Sequence, residues 1–139
     1  MSDFEARLRS ARVARLATRD VQGQPHVVPV CFVYDGRSFY SPVDRKPKRA
    51  PVEKLARIRN IRANPGVALL VDQYDEDWDQ LWYILVRGHG EILAAGEEQA
   101  EALDLLRKKY PQYASRQLLP EDAPVIRIHP VKIVSWGRL

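Results

Sequence analysis

The dipeptide Asp35-Gly36 constrains the fold of this chain more than any other feature. It stands between an apolar, β-rich run, Pro25 to Tyr34, and a second extended segment, Arg37-Ser-Phe-Tyr-Ser41. Asp-Gly fits the positive backbone angles of a tight turn whose twist matches that of paired strands. The chain therefore contains a β-hairpin, and its neighbours repeat the theme. Val13-Ala-Arg-Leu-Ala-Thr18 alternates as a strand does and is separated from Pro25 by the turn Val21-Gln-Gly-Gln24. The run Pro25 to Tyr34 is nearly continuous in apolar residues, which predicts burial on much of both faces.

Further along, Val52, Leu55, Ile58 and Ile61 recur every three residues and mark one face of a helix, which Asn64-Pro65-Gly66 ends. Val67 to Val71 is a strand. Leu81 to Leu93 is a longer one, with a bend at Gly88-His89-Gly90. A short helix spans Ser2 to about Arg9, with Ser2 and Glu5 at capping-box spacing. A second amphipathic helix runs from Glu97 to about Tyr110, with Ala100, Leu103, Leu106 and Tyr110 facing inward. The last strand is Val125 to Trp136, interrupted by Pro130. Six β segments with hairpin connections favour a mainly antiparallel barrel with flanking helices over a parallel βαβ sheet. The 139 residues form one domain, 1–139, by this reading.

Composition narrows the function classes. No apolar run reaches the length of a membrane span, and the first residues, Met-Ser-Asp-Phe-Glu, show no secretory pattern. A lone cysteine, Cys31, excludes an internal disulfide and fits a reducing compartment, so a cytoplasmic location is expected. His26, His89 and His129 are scattered, without metal-ligand spacing. Asp72, Asp75, Glu76, Asp77 and Asp79 are rich in oxygen ligands, but they lack the turn glycine and distal glutamate of a calcium loop. No metal is expected. No nucleophile elbow, phosphate loop or dinucleotide fingerprint is present, and no catalytic side chain stands out. An enzyme of this sequence would rely on a bound cofactor for the hard step.

Charge supplies the strongest functional signal. From Arg37 to Arg62 nine Lys or Arg stand against Asp44 and Glu53, a balance of +7 in 26 residues. The whole chain is +4, so the other 113 residues sum to −3. Three readings are open: a solvated helix face, a nucleic-acid contact, or a site for a phosphorylated small molecule. The segment has no interleaved aromatics and no recognition-helix pattern, which argues against nucleic acid. Arg offers a planar fork and Lys a compact charge to phosphate or carboxylate, and Ser41 adds a hydroxyl at the strand end. Trp78, Trp82 and Tyr83 cluster beside the acidic connection, as core or dimer-seam residues or as a wall for a planar ring.

An ordered series of segments then resembles a known family. The series comprises Val13-Ala-Arg-Leu-Ala-Thr, Gly23-Gln-Pro-His-Val-Val-Pro-Val, Phe32-Val-Tyr-Asp-Gly, Tyr40-Ser, Lys48 and Arg59-Asn-Ile-Arg-Ala-Asn-Pro-Gly-Val-Ala-Leu-Leu-Val. With the closing Arg127-Ile-His-Pro-Val-Lys-Ile-Val-Ser-Trp, it is similar to the pyridoxamine 5′-phosphate oxidase-like split-barrel superfamily. Lys46-Pro-Lys-Arg and Tyr74-Asp-Glu-Asp-Trp78 resemble its deazaflavin (coenzyme F420)-dependent reductase branch. The resemblance implies a six-stranded antiparallel split β-barrel of the FMN-binding type. It also implies a homodimer with two cofactor sites at the subunit seam. Carried over, the cofactor phosphate falls to Ser41, Lys46, Lys48, Arg49 and Arg57, with Asn60 beside them. Pro29 and Val30 lie under the ring, His26 lies near its edge, and Trp78 and Trp82 come from the neighbouring subunit. The implied cofactor is coenzyme F420, with FMN as the alternative. The implied reaction is hydride transfer to an unsaturated small molecule. The other readings on this scaffold are an FMN-dependent oxidase or reductase of the pyridoxamine phosphate oxidase type and a non-catalytic flavin-binding protein.

Overall fold

A computed structural model describes residues 3–43 and 55–139. Its elements run α1 (Asp3–Ser10), β1 (Ala14–Arg19), β2 (Pro25–Val30), β3 (Val33–Tyr34), β4 (Phe39–Pro42), α2 (Ala56–Ala63), β5 (Gly66–Gln73), β6 (Trp82–Leu93), α3 (Glu97–Lys109), α4 (Gln112–Ser115) and β7 (Val125–Gly137). All seven strands join one antiparallel sheet in the order β2-β1-β5-β6-β7-β4-β3. Seven strands appear where six were expected, because the run Pro25 to Tyr34 breaks at Cys31-Phe32 into β2 and β3.

That break explains the shape. The two outermost strands of the sheet, β2 and β3, are separated in sequence only by Cys31 and Phe32. Three peptide steps from Val30 to Val33 span about 10 Å at most. The sheet must therefore curl until its two edges nearly meet, as a half-barrel without a ladder across the seam. Phe32 crosses that seam fully buried, with no strand partner for its backbone. The Tyr110 hydroxyl at the end of α3 replaces one. It accepts from the Phe32 amide at 3.1 Å and donates to the carbonyls of Arg12 (2.9 Å) and Phe32 (3.2 Å), which share its single proton.

Leu16, Phe32, Phe39, Leu69, Val71, Ile84, Val86, Ile126 and Ile128 fill the concave side. α1 adds Leu8, and α2 adds Ile58 and Ile61. Gly90 permits that approach of α2, since a Cβ there would stand 3.3 Å from side-chain carbons of Ile61 and Val67. The inward face of α3 is Gln99, Ala102, Leu103 and Leu106, followed by Tyr110, and it packs on Val33, Tyr40 and Val125. Ala100, expected to point inward, is exposed. The helix is rotated by the two Gln99 hydrogen bonds to the carbonyls of Glu121 (3.1 Å) and Ala123 (2.9 Å), which bury an amide where an apolar residue was expected.

The bend foreseen at Gly88 is a bulge. Arg87 faces Lys132 but Gly88 faces Pro130, so Val131 is the extra residue. A Cβ on Gly88 would sit 2.2 Å from the His129 carbonyl oxygen, so only glycine fits. Pro130, which has no N–H for the ladder, is carried in this irregularity, and β7 continues through it. Burial on both faces of Pro25 to Tyr34 is not found for β2. Val27 is 60% exposed and Pro29 is exposed, because β2 is an edge strand whose convex side none of the described elements covers.

Two predictions follow from the clasp around Phe32. Tyr110→Phe strands a buried amide and weakens the hold on two carbonyls, so it should cost about 2 kcal/mol in urea unfolding. An unchanged midpoint would show that the clasp is dispensable. Beside it, the Lys109 ammonium is buried with no hydrogen-bond partner among the described residues, 4.0 Å from the Phe32 ring centroid and 5.5 Å from that of Tyr110. Burial, helped by the Arg12 guanidinium, pushes Lys109 down to about 8. Between pH 8 and 10 the unfolded chain then holds a proton that the folded chain has lost. Stability should rise over that window, before Tyr40 and Tyr110, both raised to about 12 by burial, begin to oppose it. Thermal unfolding of Lys109→Met should lack this rise.

Candidate functional site

Of the residues that sequence reasoning proposed for a cofactor, Lys46, Lys48 and Arg49 fall outside the described residues. Ser41 lies on β4, opposite Ile126 of β7, and is 1% exposed. Its Oγ has no hydrogen-bond partner among the described residues. β4 is buried throughout because its two faces meet different cores, with Phe39 toward the barrel and Tyr40 toward α3. The Tyr40 hydroxyl donates to Glu98 at 2.6 Å, and Glu98 also pairs with Arg127 at 2.8 Å. Arg127 reaches Glu91 as well, at 2.7 Å. This network fixes β4, β6, β7 and α3 to one another, and it pushes Tyr40 up through burial and the Glu98 hydrogen bond.

Arg57 and Asn60 lie on α2. Asn60 is buried and its amide donates to the Thr18 hydroxyl at 3.0 Å, tying the helix to β1. Arg57 is half-buried beside it in sequence. Thr18 in turn faces His26 across the β1–β2 ladder, and His26 Nδ1 is buried without a partner among the described residues. Asn60, Thr18 and His26 therefore gather at one end of the curled sheet. Pro29 and Val30 do not share a face. Alternation along β2 points Pro29 to the convex side and sends Val30 into the core at 8% exposure.

The two tryptophans are elsewhere. Trp82 opens β6 opposite Gln73 and Gly137, 5% exposed, with the Arg7 guanidinium over its ring at 5.3 Å. Trp78 sits on a single 3-10 turn, Trp78–Gln80, and is 71% exposed. Ala68 is level with Ala17 on β1, and Gln73 lies five residues farther along β5, roughly 17 Å at ~3.3 Å per residue. Within one chain the tryptophans are thus remote from His26 and Asn60. In the acidic connection beside them, the carboxylates of Asp75 and Asp77 accept the backbone N–H two residues on, at 2.7 and 3.1 Å. They shape the turn.

The convex side carries a feature that sequence reasoning missed. A cavity of about 540 Å³ opens there between β1, β5 and β6, bordered by Arg19, Arg87 and His89 over Ala17, Ala68 and Gly66. These residues are far apart in sequence, and only the register of three strands assembles them. The alternation Arg15-Leu-Ala-Thr-Arg19 was the one local hint, since it puts Arg15, Ala17 and Arg19 on one side. Beyond the cavity the same side exposes Val27, Tyr83, Val134 and Trp136, with the Tyr83 and Trp136 rings stacked at 5.9 Å. Among the described residues no helix is long and apolar enough to cross a membrane.

Comparison with known proteins places this architecture. The chain is 30% identical over 131 residues to a 5a,11a-dehydrotetracycline/5a,11a-dehydrooxytetracycline reductase of Streptomyces rimosus, covering 94% of this chain and 78% of the relative. In structure it is similar to HutZ, a haem storage protein of Vibrio cholerae (TM-score 0.75, 14% identity, 97% of this chain and 92% of that one). It is also similar to an F420 reductase (TM-score 0.67, 24% identity, 96% of this chain and 98% of that one). The latter two likenesses speak for the fold, a split barrel that hosts different cofactors. The sequence pattern of the pyridoxamine 5′-phosphate oxidase family matches residues 2–137, and the chain belongs to that family.

Proposed function

We propose that this protein is a reductase that uses coenzyme F420 to reduce an unsaturated small molecule. The observation that carries the reading is the 30% identity, along nearly the whole chain, to a reductase whose named substrates are dehydro compounds. The charge of the chain supports the choice of cofactor. A deazaflavin coenzyme bears a phosphodiester and a string of carboxylates, and a balance of +7 between Arg37 and Arg62 suits that tail better than the single phosphate of FMN.

The residues present fit such a ligand at one point in particular. A buried hydroxyl without a partner is costly unless something outside the described residues takes it, and Ser41 Oγ, within the sequence of the basic segment, is such a group. In this reading Ser41 donates to a phosphate oxygen, while Lys46, Lys48, Arg49 and Arg57 supply charge around it. Pro29 offers the convex face of β2 to the ring, and His26 stands at the same strand's start. Bound in its reduced form, coenzyme F420 supplies the hydride. The chain contributes position, a charged cradle and a surface from which water is excluded.

The reading includes a second copy of this chain. Trp78 is exposed and remote from the Ser41 and His26 side of its own protomer. It joins that site only from a partner. The exposed Val27, Tyr83, Val134 and Trp136 give the convex side an apolar surface for such a partner to cover. Trp136→Glu should shift the protein to a monomer in analytical ultracentrifugation. A dimer that survives would place the seam elsewhere.

Fluorescence titration of the purified protein with coenzyme F420 and, in parallel, with FMN tests the cofactor. Tighter binding of the deazaflavin supports the reductase. Preference for FMN favours a flavin-dependent oxidase or reductase, and binding without turnover of any enone or quinone favours a carrier. Ser41→Ala should leave the cofactor-free protein as stable or more stable by up to about 1 kcal/mol, yet weaken coenzyme binding about tenfold. Lys48→Ala should weaken binding with no change in the unfolding midpoint. Equal affinities for wild type and both variants would remove the phosphate assignment.

A further inference from the structure

The cavity on the convex side lies outside the basic segment and carries its own charge pattern. Register fixes two rows of outward residues. One runs Val27, Ala17, Ala68, Arg87, Lys132 across β2, β1, β5, β6 and β7. The next contains Gly66, His89 and His129 in pairing order, with Arg19 opposite Pro25. The Arg19 guanidinium lies over Gly66, 3.5 Å from where a Cβ would stand. Small residues at the centre, Ala17, Ala68 and Gly66, lower the floor and expose a flat strip of strand. Larger cationic residues stand on either side.

Neither row contains an acid. One row farther on, Arg15 is paired with Asp72 at 3.0 Å, but Arg19 and Arg87 have no ion pair or hydrogen bond with any described residue. β5 separates their strands by two spacings of ~4.8 Å, and Arg19 lies one row (~6.6 Å) beyond the level of Arg87, so their backbones stand roughly 12 Å apart. That width suits a bicyclic ring lying on the floor with an anionic group at either guanidinium. The volume, about 540 Å³, falls in the usual range for small-molecule sites. Arginine recognises a carboxylate through two parallel N–H groups, and His89 adds a further donor.

We propose that this cavity binds a flat, conjugated small molecule through its carboxylate, with Arg87 and Arg19 as the recognising groups. The carboxylate belongs either to the reducible substrate or to the tail of the coenzyme. The site itself rests on the cavity and on cations that no described residue pairs, and it stands whether or not the coenzyme assignment does.

The test uses 2-naphthoate as probe and 2-naphthamide as its neutral match, titrated into the full-length cofactor-free protein by calorimetry. Naphthoate should bind at least tenfold more tightly than the amide. Arg87→Gln should abolish that difference and Arg19→Gln reduce it, while Arg116→Gln, an exposed cation outside the cavity, should leave it intact. Circular dichroism checks that each variant is folded. Equal affinity for the two probes, no binding of naphthoate, or an unchanged preference in Arg87→Gln would overturn the proposal. Repeating the titration with saturating coenzyme F420 identifies the natural source of the carboxylate. Competition assigns the site to the coenzyme tail, and simultaneous binding assigns it to the substrate. If the coenzyme does not bind at all, the reductase reading falls and the naphthoate result still decides the site.

Discussion

One tyrosine hydroxyl holds the curl of this sheet. Cys31 and Phe32 must carry the chain from one edge of the sheet to the other, and a buried crossing residue has backbone groups that no ladder can satisfy. Tyr110 reaches Phe32 from the end of α3 and Arg12 ahead of β1, so one oxygen secures both sides of the seam. The surrounding charges follow from that placement. Arg12 lies over the Tyr110 ring at 4.6 Å, and Lys109, one residue earlier on the helix, is forced against Phe32. A buried lysine without a hydrogen bond is unfavourable, and the aromatic faces only partly compensate. The seam is therefore stable because of Tyr110 and in spite of Lys109.

Curling divides the strand residues into two populations with different tasks. The concave side is apolar and close-packed and needs α1 and α2 to close its ends. Among the described residues, no element lies over the convex side. There the bulge at Gly88 matters, because the extra residue Val131 places His129 and Lys132 on the same side of β7. Without it, period-two alternation would send one of them into the barrel. The glycines thus act twice. Gly88 accepts the His129 carbonyl, and Gly66 leaves room for the Arg19 guanidinium over the strand.

Most strands were legible from local pattern, since alternation and turn residues are properties of a few neighbours. The helix faces were nearly so, apart from Ala100, where the buried amide of Gln99 competes with apolar periodicity. The run Pro25 to Tyr34 misled for a physical reason. Apolar residues on both faces of a strand mean that both faces seek cover, and the described elements cover only one of them. Site residues were less accessible still. Trp82 and Trp78 are close in sequence, but one packs under Arg7 and the other faces solvent. Asn60 reads as a polar helix residue near a basic stretch, whereas its partner Thr18 is 42 positions away. The cavity cations were invisible because a register of three strands, and no motif, brings them together.

The same division bears on how one barrel serves different cofactors. A haem protein and a deazaflavin reductase share this architecture at low identity, so the concave core does not choose between them. Choice lies in residues that the core leaves unconstrained. In this chain those residues are strongly cationic in two places, the segment from Arg37 to Arg62 and the convex rows around Arg19 and Arg87. Of the acids near these strands, Asp72 is paired with Arg15 and Glu91 with Arg127, while Asp75 and Asp77 are turned onto their own backbone. Acids so engaged do not neutralise the convex cations. An anionic ligand approaching this side therefore meets positive potential at the cavity before it meets any free carboxylate of the described rows.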